Sequence, residues 1–491
     1  MLKTNKINHR FPLLITLVFF AGIAFPKFAD ASVINVNNQC SIVDAVISAE
    51  TNQSFGGCLA GSGQDTIILS QDVTVSSEYN ATGNAFPVIS ESLVVDLGGH
   101  TLTHQNISPN PVRLFKVLSS TLTLKNGSII FSSTNSPIPQ NGGVVFSTAS
   151  NLRFSSINIE GFGSIEKGGV AYVDGGSLIV RSSVFYENGA NDGGVFYVEN
   201  APVNFVSSKF LNNDAVNEGG VLLTFGQTNV NISQSYFDMN KAYYGGALNL
   251  GLAGDDDFFT IKTTQFEHNY TNIGGIVSLR GYNHQTTVDQ SSFYDNKAFD
   301  VGSVIGNDNT GSITIVNTSF GQNESFGGPS AIFETTTGSS YKIAYSTFAH
   351  NNSNVGMGAF GAPYSSVSNS FLENSIFENN TGGDCIMNTF NGLTLLSNLS
   401  DDGTCGQSLA SGIGSIGFYG GTTKLYQLLS NSNAIDNAVI IGSQIPCPRF
   451  DQRGRVRPVD GNGDGNPVCD IGAFEGNRKM IYLEKETVLR K

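Results

Sequence analysis

One spacing constrains this chain more than any other. Phe followed three residues later by Asn recurs at Phe185/Asn188, Phe210/Asn213, Phe237/Asn240, Phe266/Asn269, Phe293/Asn296, Phe320/Asn323, Phe348/Asn351 and Phe377/Asn380, in steps of 25 to 29 residues. A Gly pair follows most copies, as at Gly193-Gly194, Gly219-Gly220 and Gly245-Gly246, and where it is missing Gly302 or Gly358 keeps one glycine in place. Between these marks lie short β-type pieces such as Val195–Val198, Val203–Val206 and Ser208–Phe210, which are strand length and not helix length. A repeat of this size with three strands fits one coil of a parallel β-helix better than a four-stranded propeller blade. Stacked coils would place each Phe over the last as an internal aromatic ladder. The Asn residues would form an axial amide ladder at a corner, in the left-handed conformation that Asn tolerates, and the glycines would supply tight turns.

Composition narrows the partners. The chain has 491 residues, 34 Phe, no Trp and a formal charge of -14, which repels phosphate backbones and makes nucleic acid an unfavourable partner. Residues 1-31 carry a basic start (Lys3, Lys6, Arg10), an apolar run from Phe11 to Phe25 and the small-residue site Ala29-Asp30-Ala31. That is the pattern of a secretory signal peptide cleaved before Ser32, and no later stretch is long and apolar enough to span a membrane. Six cysteines fall as three close couples: Cys40 with Cys58, Cys385 with Cys405, and Cys447 with Cys469. In an oxidising compartment three short-loop disulfides are the default reading; other pairings stay formally open, and zinc is disfavoured because no C-x-x-C occurs.

The ends of a β-helix need covers. Ser41 followed by Ile42, Ala45, Val46 and Ala49 at helical spacing predicts a short N-terminal capping helix. The period stops after Gly382-Gly383, where a cysteine-bearing C-terminal module begins. The expected architecture is therefore all-β: a right-handed parallel β-helix over 32-383, its repeats clearest over 142-383, a disulfide-bearing module over 384-475 and a basic tail over 476-491.

The Phe-x-x-Asn and Gly-Gly repeat resembles the polymorphic outer membrane protein repeat of bacterial surface proteins. Cys40-Ser41-Ile42-Val43-Asp44-Ala45-Val46 is similar to the "CSLREA" element of secreted bacterial β-helix proteins, with Val43-Asp44 in place of Arg-Glu. The C-terminal part resembles the choice-of-anchor Q domain through Asp402-Gly403-Thr404-Cys405, Ala434-Ile435-Asp436, Asp451–Pro458 and Cys469–Glu475, departing from it at Asn433, where that family usually has Pro. These likenesses imply an exported, cell-surface or outer-membrane β-helix protein and no particular reaction.

Because this scaffold also carries polysaccharide lyases and hydrolases, catalytic groupings matter. The Asn-Thr-Asp, Gly-His-Gly and Arg-Ile-Lys strings of polygalacturonases are absent. Asp255-Asp256-Asp257 reads as a solvated acidic loop, and Arg280 and His284 one coil later read as surface residues, so no catalytic residue is assigned. Asp460, Asn462 and Asp464, followed by Gly465, have the oxygen spacing of a calcium loop, although Ile471 stands where the closing Glu would be. Arg449, Arg453, Arg455 and Arg457 form the one basic cluster, readable as an anion site or as internal pairing with Asp451, Asp470 and Glu475. The expected function is adhesion, structure or glycan binding, with a surface glycan or a cell-surface protein as partner; the alternative is a polysaccharide-active enzyme.

Overall fold

The computed structural model describes residues 31–105, 112–132, 138, 140–334, 339–361, 369–386 and 392–476. The expected signal segment and the basic tail therefore lie outside the described residues, except for Ala31 and Gly476. No helix among the described residues is long and apolar enough to cross a membrane.

The chain is a parallel β-helix. Each repeat lays down a strand after the Gly pair (the Gly face), a second strand (the flat face) and a third bearing the repeated Phe (the Phe face). In one coil these are Phe196–Glu199, Val203–Val206 and Lys209–Leu211. Each pairs in parallel with its counterpart one coil on, Leu222–Phe225, Val230–Ser233 and Tyr236–Asp238. A fourth short strand missing from the sequence reading follows most ladder Asn residues, as at Asp214–Glu218 and Lys241–Tyr244. It was illegible because it is short and mostly polar, with one small inward residue such as Ala215 or Ala242 to mark it. Flat-face pairing runs from Val33–Val36 to Leu393–Leu396, and Phe-face pairing continues past the last Gly pair to Gln407–Ser408.

The Phe ladder is continuous. Phe185, Phe210, Phe237, Phe266, Phe293, Phe320, Phe348 and Phe377 are in register and buried, with ring centroids 4.6 to 5.3 Å apart and planes within 18°. Coils nearer the N-terminus continue the column with Ile159, Ile129 and Leu102. Rings stacked this way gain dispersion contacts while removing apolar area from water.

The Asn ladder also forms. Each amide from Asn188 to Asn351 donates to the Oδ1 of the Asn one coil on at 2.9 to 3.1 Å, and its backbone N–H donates to the same oxygen. The second amide proton reaches a Phe-strand carbonyl one coil back, as from Asn240 to Phe210 at 2.9 Å. One expectation is corrected: the left-handed residue is not the Asn but its predecessor, from Glu187 and Asn212 through to Asn379, with φ between 50 and 59°. The bend must precede the Asn so that its side chain can turn inward along the axis.

The glycines divide their work. In most pairs the first takes positive φ, as at Gly193 (61°), and a Cβ on the second, as at Gly194, would strike the carbonyl of Gly220 on the next coil.

The N-terminal helix spans Ile42–Thr51 with Ser41 as its cap, the Ser41 hydroxyl accepting from the Asp44 N–H at 3.1 Å. Ile42, Ala45, Val46 and Ala49 face the core, as their spacing predicts. The Cys40–Cys58, Cys385–Cys405 and Cys447–Cys469 disulfides are all formed, with Cα separations of 4.7, 5.3 and 6.2 Å.

The C-terminal module folds back along the flank. Beyond a two-stranded antiparallel sheet, Ile413–Gly417 with Leu425–Leu428, it builds a second core in which Leu425, Ala434, Cys469, Ile471 and Phe474 pack with Ala344, Tyr345 and Ile376 of the solenoid.

Candidate functional site

The flat face is the floor of two grooves. Its inward residues, among them Ile232, Ile261, Val288, Ile315 and Ile343, are buried, so alternation turns their neighbours outward. Register stacks those neighbours into lanes. One runs Asn204, Asn231, Thr260, Thr287, Thr314, Lys342, Phe371; beside it runs Phe258, Gln285, Ser312, Ser340. Over the C-terminal part of these lanes lies a groove of about 730 Å3, lined by Gln285, Ser312, Ser340, Lys342 and Phe371, with Gln444 of the returning module beside them. A smaller groove of about 420 Å3 lies over Asn204, Asn231, Phe258 and Thr260.

Amides and hydroxyls both donate and accept, so the Asn, Thr, Ser and Gln positions of these lanes offer two-way bonding on successive coils, roughly every 4.8 Å. A chain with hydroxyls at a similar repeat can bond to them along the axis, while Phe258 and Phe371 present apolar faces. Charge is sparse in the larger groove, where Lys342 and Asp256 are the ionic groups.

The acidic run and His284 are corrected. Asp257 and His284 are buried, at 2% and 0% exposure, and serve a corner column between the Gly and flat faces. The Thr228 N–H donates to Asp257 Oδ1 at 2.9 Å, the Asp257 N–H to His284 Nδ1 at 3.1 Å, and the His284 N–H to Asn309 Oδ1 at 3.1 Å. Nδ1 thus accepts, leaving the proton on Nε2, which faces the Gly251 carbonyl at 3.4 Å. Burial pushes the Asp257 carboxyl up from its usual range. Asp255 and Asp256 are exposed, as expected. Arg280 is not a free surface residue: it pairs with Glu218 at 2.8 Å over the Tyr244 ring.

The four arginines separate. Arg453 is buried, bonded to Asp451 and the Glu475 carbonyl, its guanidinium 3.6 Å from the centre of the Phe474 ring. Arg457 is buried too, 3.5 Å from the Glu475 carboxylate and donating to the Gly472 carbonyl at 2.7 Å. Arg449 and Arg455 are exposed; Arg449 lines a cleft of about 480 Å3 with Lys262, which is itself paired to Asp289 at 3.1 Å. Burial beside Glu475 pushes the Asp470 carboxyl up to about 8.

In the Asp460 loop the oxygens serve their own turn. Asp460 accepts from the Gly463 and Gly465 N–H groups, Asn462 Oδ1 from Asp464 N–H at 2.8 Å, and Asp464 from Asn466 N–H at 2.7 Å. Among the described residues no three His, Cys, Asp or Glu side chains gather as metal ligands.

Two groupings escaped the sequence reading. A column of hydroxyls, Ser183, Ser208, Ser235, Thr264, Ser291, Thr318, Ser346 and Ser375, accepts backbone N–H groups coil by coil at 3.2 to 3.5 Å. Its signal was a Ser or Thr two residues before every ladder Phe. Asp238 and Glu267 meet in register on neighbouring coils, with His268 2.9 Å from Asp238 and 3.5 Å from Asp295. Glu267 is held by Lys424 of the module, by the Tyr236 hydroxyl at 3.0 Å and by Gln265 at 2.6 Å, at the edge of a cleft of about 470 Å3. This carboxylate joins the module to the solenoid.

Neither the family models nor the curated proteins contain a match to this chain.

Proposed function

We propose that this is an exported protein of the cell surface or the surrounding medium that holds an extended glycan along the groove of its flat face. The groove carries this reading: in-register Thr, Ser and Gln lanes with the Phe371 ring beside them suit a hydroxyl-rich polymer laid along the axis. Export is supported by the leader pattern of residues 1-31 and by three formed disulfides. The resemblance of the repeat to polymorphic outer membrane proteins, and of 384-475 to the choice-of-anchor Q domain, points to the same compartment. Fractionation into cytosol, periplasm, outer membrane and medium, with thiol labelling, tests this; a cytosolic protein with free thiols overturns it. For the groove, Gln285→Ala with Phe371→Ala should abolish retention on immobilised polysaccharide.

The adjacency of Asp238 and Glu267 is the observation that favours an enzyme instead. Release of reducing or unsaturated ends from polysaccharide, lost in Glu267→Gln, would establish that reading.

A further inference from the structure

Past each ladder Asn, the short fourth strand turns one residue per coil outward: Val216, Tyr243, Asn272, Phe299 and Phe326. Strand register, continued by the bonds from the Phe299 N–H to the Thr271 carbonyl and from the Phe326 N–H to the Ala298 carbonyl, aligns Tyr243, Asn272, Phe299 and Phe326 along the axis. Tyr243, Phe299 and Phe326 are 44%, 49% and 40% exposed, far more than the ladder rings. Tyr270 lies 6.1 Å from Phe299 and Phe299 5.6 Å from Phe326, ring centre to ring centre, with planes within 14°. Several hydrogen bonds of the returning module fall on the Phe-face and flat-face strands and on the turn between them, not on this corner.

The lane is interrupted at Asn272. There a cleft of about 400 Å3 opens between Tyr243 and Phe299, with Tyr270 lining it and Ala215 and Ala242 among its small residues. The Asn272 side chain is exposed and makes no hydrogen bond among the described residues. Charges in the adjoining lane cancel locally, Asp214 with Lys241 at 3.1 Å and Lys297 with Glu324 at 3.6 Å.

These features select a ligand class. An anionic polymer finds no uncommitted cation here and meets an acidic chain overall. A purely apolar partner would have to desolvate the unbonded Asn272 amide. A pyranose ring satisfies both requirements, since its C–H faces lie against aromatic rings while its hydroxyls bond the amide and phenols. We propose that this corner is a second saccharide site, taking a ring of a neutral glycan between Tyr243 and Phe299 with the chain continuing over Phe326. The proposal rests on the reading of the protein as a glycan binder, but uses a different face from the groove.

The full secreted chain should be titrated calorimetrically with cellohexaose, mannohexaose and polygalacturonate. In a Gln285→Ala/Phe371→Ala background that silences the groove, Phe299→Ala and Tyr243→Ala should each weaken a neutral hexasaccharide by about tenfold, while Leu211→Ala on the Phe face leaves that binding unchanged. Both corner rings are half exposed, so unchanged melting midpoints show that the variants fold. Neutral binding in that background that survives Phe299→Ala and Tyr243→Ala unweakened overturns the corner site, and its presence in the chain with an intact groove leaves the groove reading standing. If none of the three glycans binds the native chain, both readings fall.

Discussion

The Phe face holds two stretches built from one repeat and finished differently. Inside, Phe210 and Phe237 near one end and Phe320 and Phe348 near the other are equally buried and stack at 4.8 and 4.6 Å. Outside, Lys209, Leu211, Tyr236 and Asp238 meet solvent in the first stretch, whereas Ser319, Gly321, Thr347 and Ala349 lie buried under the module in the second. There Ser319 bonds Gln452 at 2.7 Å, the Thr347 hydroxyl accepts from the Ala473 N–H at 3.1 Å, and the Tyr426 hydroxyl donates to the Ala349 carbonyl at 3.2 Å. The inward positions answer to coil stacking, which is the same everywhere. The outward positions answer to what lies over them.

The largest effect should ignore this division. Phe237→Ala in the bare stretch and Phe348→Ala in the covered one should each cost about 3 to 5 kcal/mol by leaving a cavity in the ladder. Denaturant titration measures both, and a much smaller loss at either position would break the equivalence of the two interiors. Asn240→Ala should cost about 1 to 3 kcal/mol, because the Asn213 amide and N–H lose their acceptor and the Phe210 carbonyl loses a donor.

The next test separates the stretches. A Cβ on Gly321 would stand 2.6 Å from the Tyr426 hydroxyl, so Gly321→Ala should destabilise by about 1 to 3 kcal/mol and loosen the module to protease. Leu211→Ala, at the same position in a bare coil, should stay within about 0.5 kcal/mol.

Acidity should sharpen the contrast further. Burial first, and then the nearby Asp402 and Asp401 charges, raise the Asp384 carboxyl to about 7 against bonds from Ser400 and Asn380 that lower it. A carboxyl raised in the folded state holds its proton where the unfolded chain has lost it. The contribution of Asp384 to stability should therefore be fully present below about pH 4 and be lost between about pH 4 and 7 as the group is forced to ionise. Melting followed across that range should show the decline, and Asp384→Asn should flatten it; a slope of the opposite sign refutes the assignment. The smallest effect concerns the Asp460 loop, whose oxygens already serve its own amides. Calorimetry with Ca²⁺ and with chelator should give matching transitions, and a Ca²⁺-dependent rise lost in Asp464→Ala would place an ion there.

Much of this was legible because a solenoid writes its packing once per coil. The Phe and Asn columns follow from period and residue type, as does the capping helix from Ser41 and its apolar spacing. The hydroxyl column was equally periodic but hidden, since Ser and Thr are common enough in turns to pass as loop composition. The buried roles of Asp257 and His284 could not be read, because their types suit solvent and only the corner geometry supplies their partners. The fold-back of the module was fainter still. Its trace is the shift from Lys209 and Tyr236 to Ser319, Gly321 and Ala349, and small outward residues signal cover only once the covering segment is known. Both grooves depend on which lanes that segment leaves open.

The Asn ladder has a further consequence, an electrical one. Every amide from Asn188 to Asn351 points one N–H toward the C-terminal end and its oxygen toward the N-terminal end, so these bonds share one direction along the axis, as peptide bonds do in a helix. The positive pole of that column ends at Asn380, which donates to Asp384 Oδ1 at 2.8 Å. A carboxylate suits this pole, and an ammonium group in its place would face like charge with no acceptor for the last amide. The solenoid thus has a polarity as well as a length, and its two ends call for different chemistry.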